Sequence, residues 1–288
     1  MNTPILLTRE AVMERCDQLP SFPATVAEIL ATLDDPEGNL RVLVRAINHD
    51  PLISARVLSV ANMASVRGRR ESEVSDIYTA TSLVGMGRVR QIALISSLGT
   101  FIGDLSLKGV PTSFWQHSVA VGVCCEELAI DSIAPVSTDT ALVAGLLHDI
   151  GQLWLCSFYP SLYQSCRLPT DGQSMPVYEM ERQNFGVDHA TIGAWMAESW
   201  ELPSAVVAAI AGHHWPVSSP YFNLVSLVHI GEVLCNALDL TGRAENSVTQ
   251  VSEAAMRQLG LEWNDDIRSL FGRMEARSRH ANTFFLQP

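Results

Sequence analysis

Asp50-Pro51-Leu52-Ile53-Ser54-Ala55-Arg56-Val57-Leu58-Ser59-Val60-Ala61-Asn62-Met63-Ala64 reads as a single helix from its punctuation and its period. Aspartate favours the N-cap, where its carboxylate accepts the first free N–H groups. Proline favours the position after it, where no N–H is needed. Ile53, Val57, Val60, Ala61 and Ala64 then recur at helical intervals, which gathers them on one face. The same signature extends in both directions. Gly85-Met86-Gly87 separates an apolar helix ending in Leu83 and Val84 from another carrying Val89, Ile92, Ala93 and Leu94. No long Val/Thr/Ile alternation suggests a sheet, and neither GxGxxG nor GxxxxGK[ST] occurs. An all-α fold is expected.

The chain has 288 residues, long enough for one large core or two smaller ones. Hydrophobic residues make up 47% and charged residues 17%, the composition of a globular chain with helices buried on more than one side. Charges interrupt the N-terminal segment and no apolar run reaches 18 residues, so a cytoplasmic protein without a membrane span is expected. Cys16, Cys124, Cys125, Cys156, Cys166 and Cys235 form no CxxC pair and read as reduced core residues. A net charge of −12 speaks against a general nucleic-acid binder, because neutralising phosphates needs an Arg/Lys surplus. Arg67, Arg69 and Arg70 form a local basic cluster that reads as a solvated loop. Three regions are expected: an N-terminal helical lobe over 1–106, a second lobe over 112–240, and a tail of short helices over 241–288. A Gly/Pro-containing hinge around Leu107–Pro111 joins the first two.

Six of the eight histidines fall in the second region. His117 lies in FWQHSVAVG. His148 and Asp149 are adjacent in GLLHDIG, where an apolar helix ends at Gly151. His189 begins a helix in GVDHATIGAWMAESWELP, His213 and His214 are adjacent in IAGHHW, and His229 and Glu232 share LVHIGEVLCNAL. An imidazole and a carboxylate at consecutive positions project in neighbouring directions, so one can bind a cation while the other bridges to a second. A mixed imidazole and carboxylate set suits transition metals, and only neutral imidazole binds them. Read from the residues alone, the series is either a metal constellation or a set of hydrogen-bonded core histidines.

LLHDIG resembles the defining motif of the HD superfamily of metal-dependent phosphohydrolases. LPSFPATVAEIL (19–30), INHDPLISARVLSVAN (47–62), TATSLVGMGRVRQIALISSL (79–98), GVDHATIGAWMAESWELP (186–203) and LVHIGEVLCNAL (227–238) are together similar to HDOD (HD-related output) domains. The likeness covers roughly 19–240. It implies an all-α HD core with an N-terminal helical-bundle lobe.

By resemblance to the related HD-GYP phosphodiesterases, His117, His148, Asp149 and Glu232 would hold one metal. His189, His213 and His214 would hold another, with Asp149 bridging. Glu232 stands where that pattern has aspartate. Gln152 stands where active members often have a lysine, and no GYP follows His214. His229 and Gln152 would stand behind the ligands, His229 alternatively being an ordinary buried histidine. Iron, manganese or zinc would be the metal, in a dinuclear centre.

The resemblance implies a bacterial signal-transduction module, of the kind that serves as response-regulator output, acting through contact with a kinase, receiver or transcription regulator. It is expected to be non-catalytic and to take a phosphate-containing small ligand. In one mechanism, occupancy of the centre clamps the two lobes across the hinge. The alternative is a metal-dependent phosphohydrolase, and a third reading leaves the histidines as packing residues.

Overall fold

A computed structural model describes residues 5–31, 39–67, 74–106, 111–167, 175–216, 222–241, 250–262 and 267–286. Sixteen helices and no strand occur among them. Residues 107–110 of the expected hinge, Arg69 and Arg70 lie outside the described residues, as does the side chain of Arg67.

The chain divides into two compact units, residues 21–104 and residues 1–20 with 105–288. The first contains α2 (Ala24–Ala31), α3 (Asn39–Asn48), α4 (Pro51–Arg67), α5 (Ile77–Val84) and most of α6 (Met86–Ser106). Asp50 starts α4 as its type predicts, its Oδ1 accepting the N–H groups of Leu52 at 2.9 Å and Ile53 at 3.1 Å. Ile53, Val57 and Ala61 bury the face that the period marks out. Asn62 on that helix holds both backbone groups of Val74, at 2.9 and 2.8 Å, and so pins the approach to α5. Asp76 caps α5, and Gly85 (φ 89°) ends it in a conformation open to glycine, turning the chain into α6. An open groove of about 430 Å³ lies along α3, lined by Arg41, Arg45, Asn48, His49 and Tyr78 among others.

The second unit contains α1 (Arg9–Cys16), α7 (Thr112–Asp131), α8 (Thr138–Leu147), α9 (Ile150–Phe158), α10 (Pro160–Arg167), α11 (Val177–Phe185), α12 (His189–Ser199), α13 (Ser204–Gly212), α14 (Phe222–Ala237), α15 (Glu253–Leu259) and α16 (Ile267–Leu286). Its axis is α7, buried from Phe114 to Ala129 except Gln116 and enclosed by α8, α14 and α16. At the crossing with α8, a Cβ on Gly145 would come within 2.6 Å of Cys125 Sγ and 2.9 Å of Gly122 Cα, so only glycine permits this approach. All six cysteines are free, and four of them are buried.

Two regional expectations change. Residues 5–20 belong with the second unit rather than the N-terminal lobe, because α1 packs on α12 and Ile5 and Leu7 donate backbone hydrogen bonds to Asn184 and Phe185. The tail is more than short helices, since α16 runs for 20 residues and lies against α7. There Arg277 pairs with Glu126 and Glu127 while Arg273 pairs with Glu127 and Asp131. A window within Thr138–Phe158 has a mean hydropathy of 1.3, enough by composition for a membrane span, although no pure apolar run of that length exists. The helix pair buries 83% of that window in the core.

Candidate metal centre

The apolar helix carrying GLLHDIG does not end at Gly151 as expected. α8 stops at Leu147, His148 and Asp149 form the break, and Gly151 lies inside α9. The glycine serves packing: a Cβ there would lie 2.0 Å from the His189 carbonyl oxygen and 2.8 Å from Gly193 N. Its absence lets α9 and α12 meet backbone to backbone, which brings Asp149 to His189.

Asp149 is buried and central. Its Oδ2 lies 3.5 Å from His148 Nε2 and 3.8 Å from His117 Nε2, and its Oδ1 lies 3.1 Å from His189 Nε2 and 3.8 Å from His213 Nε2. Each carboxylate oxygen therefore faces one group of histidines. The ligand atoms of His117, His148 and Glu232 lie within 4.8 Å of one another, and so do those of His189, His213 and His214. Four stretches of sequence contribute to the first group with Asp149 and the second together: α7, the α8–α9 break, α12–α13 and α14.

The rings are oriented from behind. His148 Nδ1 donates to Gly145 O at 2.7 Å and His213 Nδ1 to Ile210 O at 2.7 Å. His189 Nδ1 gives its proton to Glu181 Oε2 at 2.5 Å. These partners accept only, so they fix a proton on each Nδ1 and direct each Nε2 at Asp149. Three Nε2 atoms and the Asp149 carboxylate thus converge in a buried space, where a cation, or a second proton on a ring, balances the carboxylate. Ligands at about 2.1 Å from one ion stand roughly 3–3.4 Å apart, close to the shorter separations found here. The donor set fits transition-metal ions.

Charge shifts follow the same arrangement. Burial would push Asp149 up, but His148, His189 and His117 outweigh it and hold the carboxyl well below its usual range. Burial opposes a charge on His189, yet Glu181 and Asp149 raise it well above an ordinary histidine. Burial and then the neighbouring histidines push His213 down to about 3 and His214 well below its normal value. Both are thus neutral, the form that binds metal.

Glu181 was not singled out in the sequence. It is fully buried in the middle of α11, eight residues before the histidine it orients, and its Oε2 also accepts the His189 backbone N–H at 2.9 Å. Next to it, Arg182 reaches Asp188, the N-cap of α12, at 2.6 and 2.8 Å. Consecutive Glu181 and Arg182 thus fix the start of the helix that carries His189. Its contact with the first N–H of α12 adds to the cap that Asp188 supplies there.

His229 is not aimed at the cluster. Its Nδ1 donates to His213 O at 2.8 Å and its Nε2 accepts from Ser252 N at 3.2 Å, so it clamps the backbone of the His213 turn. Gln152 Nε2 lies 3.5 Å from His189 Nε2. Trp215, just after the His213-His214 pair, is 61% exposed and meets Tyr178 edge-on.

A family model described as the HDOD domain matches residues 19–216. Three solved structures share the fold. One is an HDOD domain protein of unknown function from Geobacter sulfurreducens, 20% identical with a TM-score of 0.70, covering 96% of both chains. Another, a candidate signal transduction protein from Marinobacter aquaeolei VT8, is 22% identical with a TM-score of 0.71, covering 99% of this chain and 62% of its own. A candidate phosphohydrolase from Shewanella amazonensis SB2B is 24% identical with a TM-score of 0.65, covering 95% and 96%. A curated relative, an uncharacterized protein from Treponema pallidum (strain Nichols), is 26% identical over 236 residues. That alignment takes in 80% of this chain and 44% of the relative, so the chain spans less than half of the protein it matches.

Proposed function

The chain belongs to the HDOD domain family, and we propose that it is an intracellular regulatory module whose signalling state is set by a dinuclear metal centre. His117, His148 and Glu232 hold one divalent transition ion, His189, His213 and His214 hold the other, and Asp149 bridges them. The observation that supports this reading is the convergence of the Nε2 atoms of His148, His189 and His213 on the two oxygens of Asp149. In this reading Glu232 reaches its ion despite the extra methylene, since its carboxylate shares one cluster with His117 and His148. Glu181 and the carbonyls of Gly145 and Ile210 keep the rings in register. The partner reading that state is a signalling protein such as a kinase, receiver or transcription regulator.

A second reading, a metal-dependent phosphohydrolase, is favoured by the position of Asp149 between the two histidine groups. Paired divalent ions supply Lewis acidity for attack on a phosphate ester. For either reading, the first test is metal content by elemental mass spectrometry on anaerobically purified protein. Near two equivalents of iron, manganese or zinc in the wild type, lost in Asp149→Ala, is expected. Metal-free protein under those conditions would sink both readings.

A further inference from the structure

The unit formed by residues 21–104 differs in charge from the rest of the chain. It holds eight arginines against nine acidic residues, and so carries only −1 of the total −12. Arg41 and Arg45 follow one another one turn apart on α3, and both are exposed. His49, whose N–H donates to Arg45 O at 3.1 Å, extends the same stripe just past the helix end. The stripe is roughly 12 Å long. It borders the open groove of about 430 Å³, whose apolar lining comes from half-buried Leu40 and Val44 and from Tyr78 on α5, which is 62% exposed.

Neither arginine forms an ion pair among the described residues. The carboxylates that flank the groove in sequence are engaged as helix caps. Asp50 Oδ1 accepts from Leu52 N and Ile53 N, and Asp76 Oδ1 accepts from Thr79 N at 2.8 Å. Asp34, Asp35 and Glu37 lie outside the described residues. Like charges one turn apart weaken a helix unless a counter-charge lies close, and the described residues supply none. At physiological salt a charge acts over about 8 Å, so an approaching segment meets these arginines rather than the chain's overall −12. Two arginines are few for a nucleic acid, whose binding rests on neutralising many phosphates. Small molecules are held in clefts that enclose most of their surface, unlike this open groove. An apolar floor with cations at single-turn spacing matches a helix with acids at the same spacing and an apolar residue between them.

We propose that the α3 groove docks an acidic amphipathic helix of a partner protein, its Asp or Glu side chains at i and i+4 pairing with Arg41 and Arg45 and an apolar side chain resting on Leu40, Val44 and Tyr78. This rests on the part of the proposed function in which the chain acts through a partner, and not on the metal centre.

The test is fluorescence anisotropy with a labelled helical peptide of about 15 residues, long enough to keep its helix, bearing glutamate at every fourth position with leucine beside it. Versions with glutamine or lysine in place of glutamate serve as controls. The proteins are full-length wild type, Arg41→Ala/Arg45→Ala, Arg41→Glu/Arg45→Glu and Tyr78→Ala, with melting midpoint and metal content measured on each sample. Wild type should prefer the glutamate peptide, and more strongly at low salt. Arg41→Ala/Arg45→Ala should weaken that binding by about 2–30-fold, the range for two exposed ion pairs. Tyr78→Ala should weaken it as well, and Arg41→Glu/Arg45→Glu should prefer the lysine peptide. No binding of the glutamate peptide by wild type, equal binding of all three peptides, or affinity unchanged in Arg41→Ala/Arg45→Ala would overturn the proposal. So would tighter, arginine-dependent binding of a duplex oligonucleotide, which would make nucleic acid the ligand. Arginine-dependent dimerisation in sedimentation would make a second copy the occupant and also overturn it. Binding that appears only in Asp34→Asn/Asp35→Asn/Glu37→Gln would make that segment the occupant, with the same consequence. Metal-free samples that bind the glutamate peptide as expected would remove the metal reading and leave this one standing.

Discussion

Adding one methyl group at Gly151 should open the centre without altering any proposed ligand. In Gly151→Ala the new Cβ would lie 2.0 Å from the His189 carbonyl oxygen, about 1.4 Å short of the 3.4 Å where ordinary contact begins. Both obstructing atoms, His189 O and Gly193 N, are backbone, so no side chain can swing away. The helices α9 and α12 must separate. Overpacking a tight core costs about 1–3 kcal/mol, and a backbone obstruction places this substitution near the top of that range. At roughly 2–4 °C per kcal/mol for a chain of this size, the melting midpoint should fall by about 6–12 °C. The same movement stretches the 3.1 Å approach of His189 Nε2 to Asp149 Oδ1, so metal affinity should fall by roughly tenfold or more. Gly193→Ala is the graded control. Its Cβ would meet Ile210 Cγ2 at 3.0 Å and Gly151 N at 3.2 Å, a milder crowding, so a smaller loss is expected. Thermal denaturation with and without chelator, alongside elemental analysis, measures both effects. A Gly151→Ala protein with wild-type midpoint and metal content would refute the claim that backbone contact at Gly151 sets the site.

Three other perturbations follow from the same contacts. Glu181→Gln removes the carboxylate that holds the His189 Nδ1 proton at 2.5 Å, and metal affinity should fall by about 10–100-fold in chelator competition; unchanged affinity would show that Glu181 does not orient the ring. Metal-free protein should lose stability on acidification from about pH 6.5, because His213 (about 3 when folded) and His214 take up protons more readily when unfolded. His189, raised when folded, works the opposite way, contributing stability below about pH 6.5 that is lost as pH rises through its folded value. Urea midpoints across pH 4–7 that stay flat, or that keep their slope in His213→Asn, would contradict the assignment. Arg277→Ala strips the partner from Glu126 and Glu127 beneath α16 and should cost about 1–3 kcal/mol, the arginine's partial exposure keeping it below a fully buried pair. A urea midpoint equal to wild type would show that the ion pairs do not anchor the helix.

The all-α class was legible because it rests on local signals. Asp50-Pro51, the apolar period after it and Gly85 each act within a turn or two of chain, and each does so as its type predicts. The residues proposed as ligands could be named from the sequence, since the chain has only eight histidines and their order around His148-Asp149 resembles a known motif. The orienting residues could not. Glu181 is one of 31 acidic residues and lies on a helix with no distinguishing period, and nothing local says which ring it reaches. Gly151 misled for a related reason. A glycine after an apolar run is a helix end by local rules, and its actual cause is a neighbouring helix 38 residues on, at His189. Sequence by itself determined which side chains can bind and where helices start. The tertiary structure alone decided which ring nitrogens face Asp149, because that depends on the carbonyls of Gly145 and Ile210 and on Glu181 fixing each ring from behind.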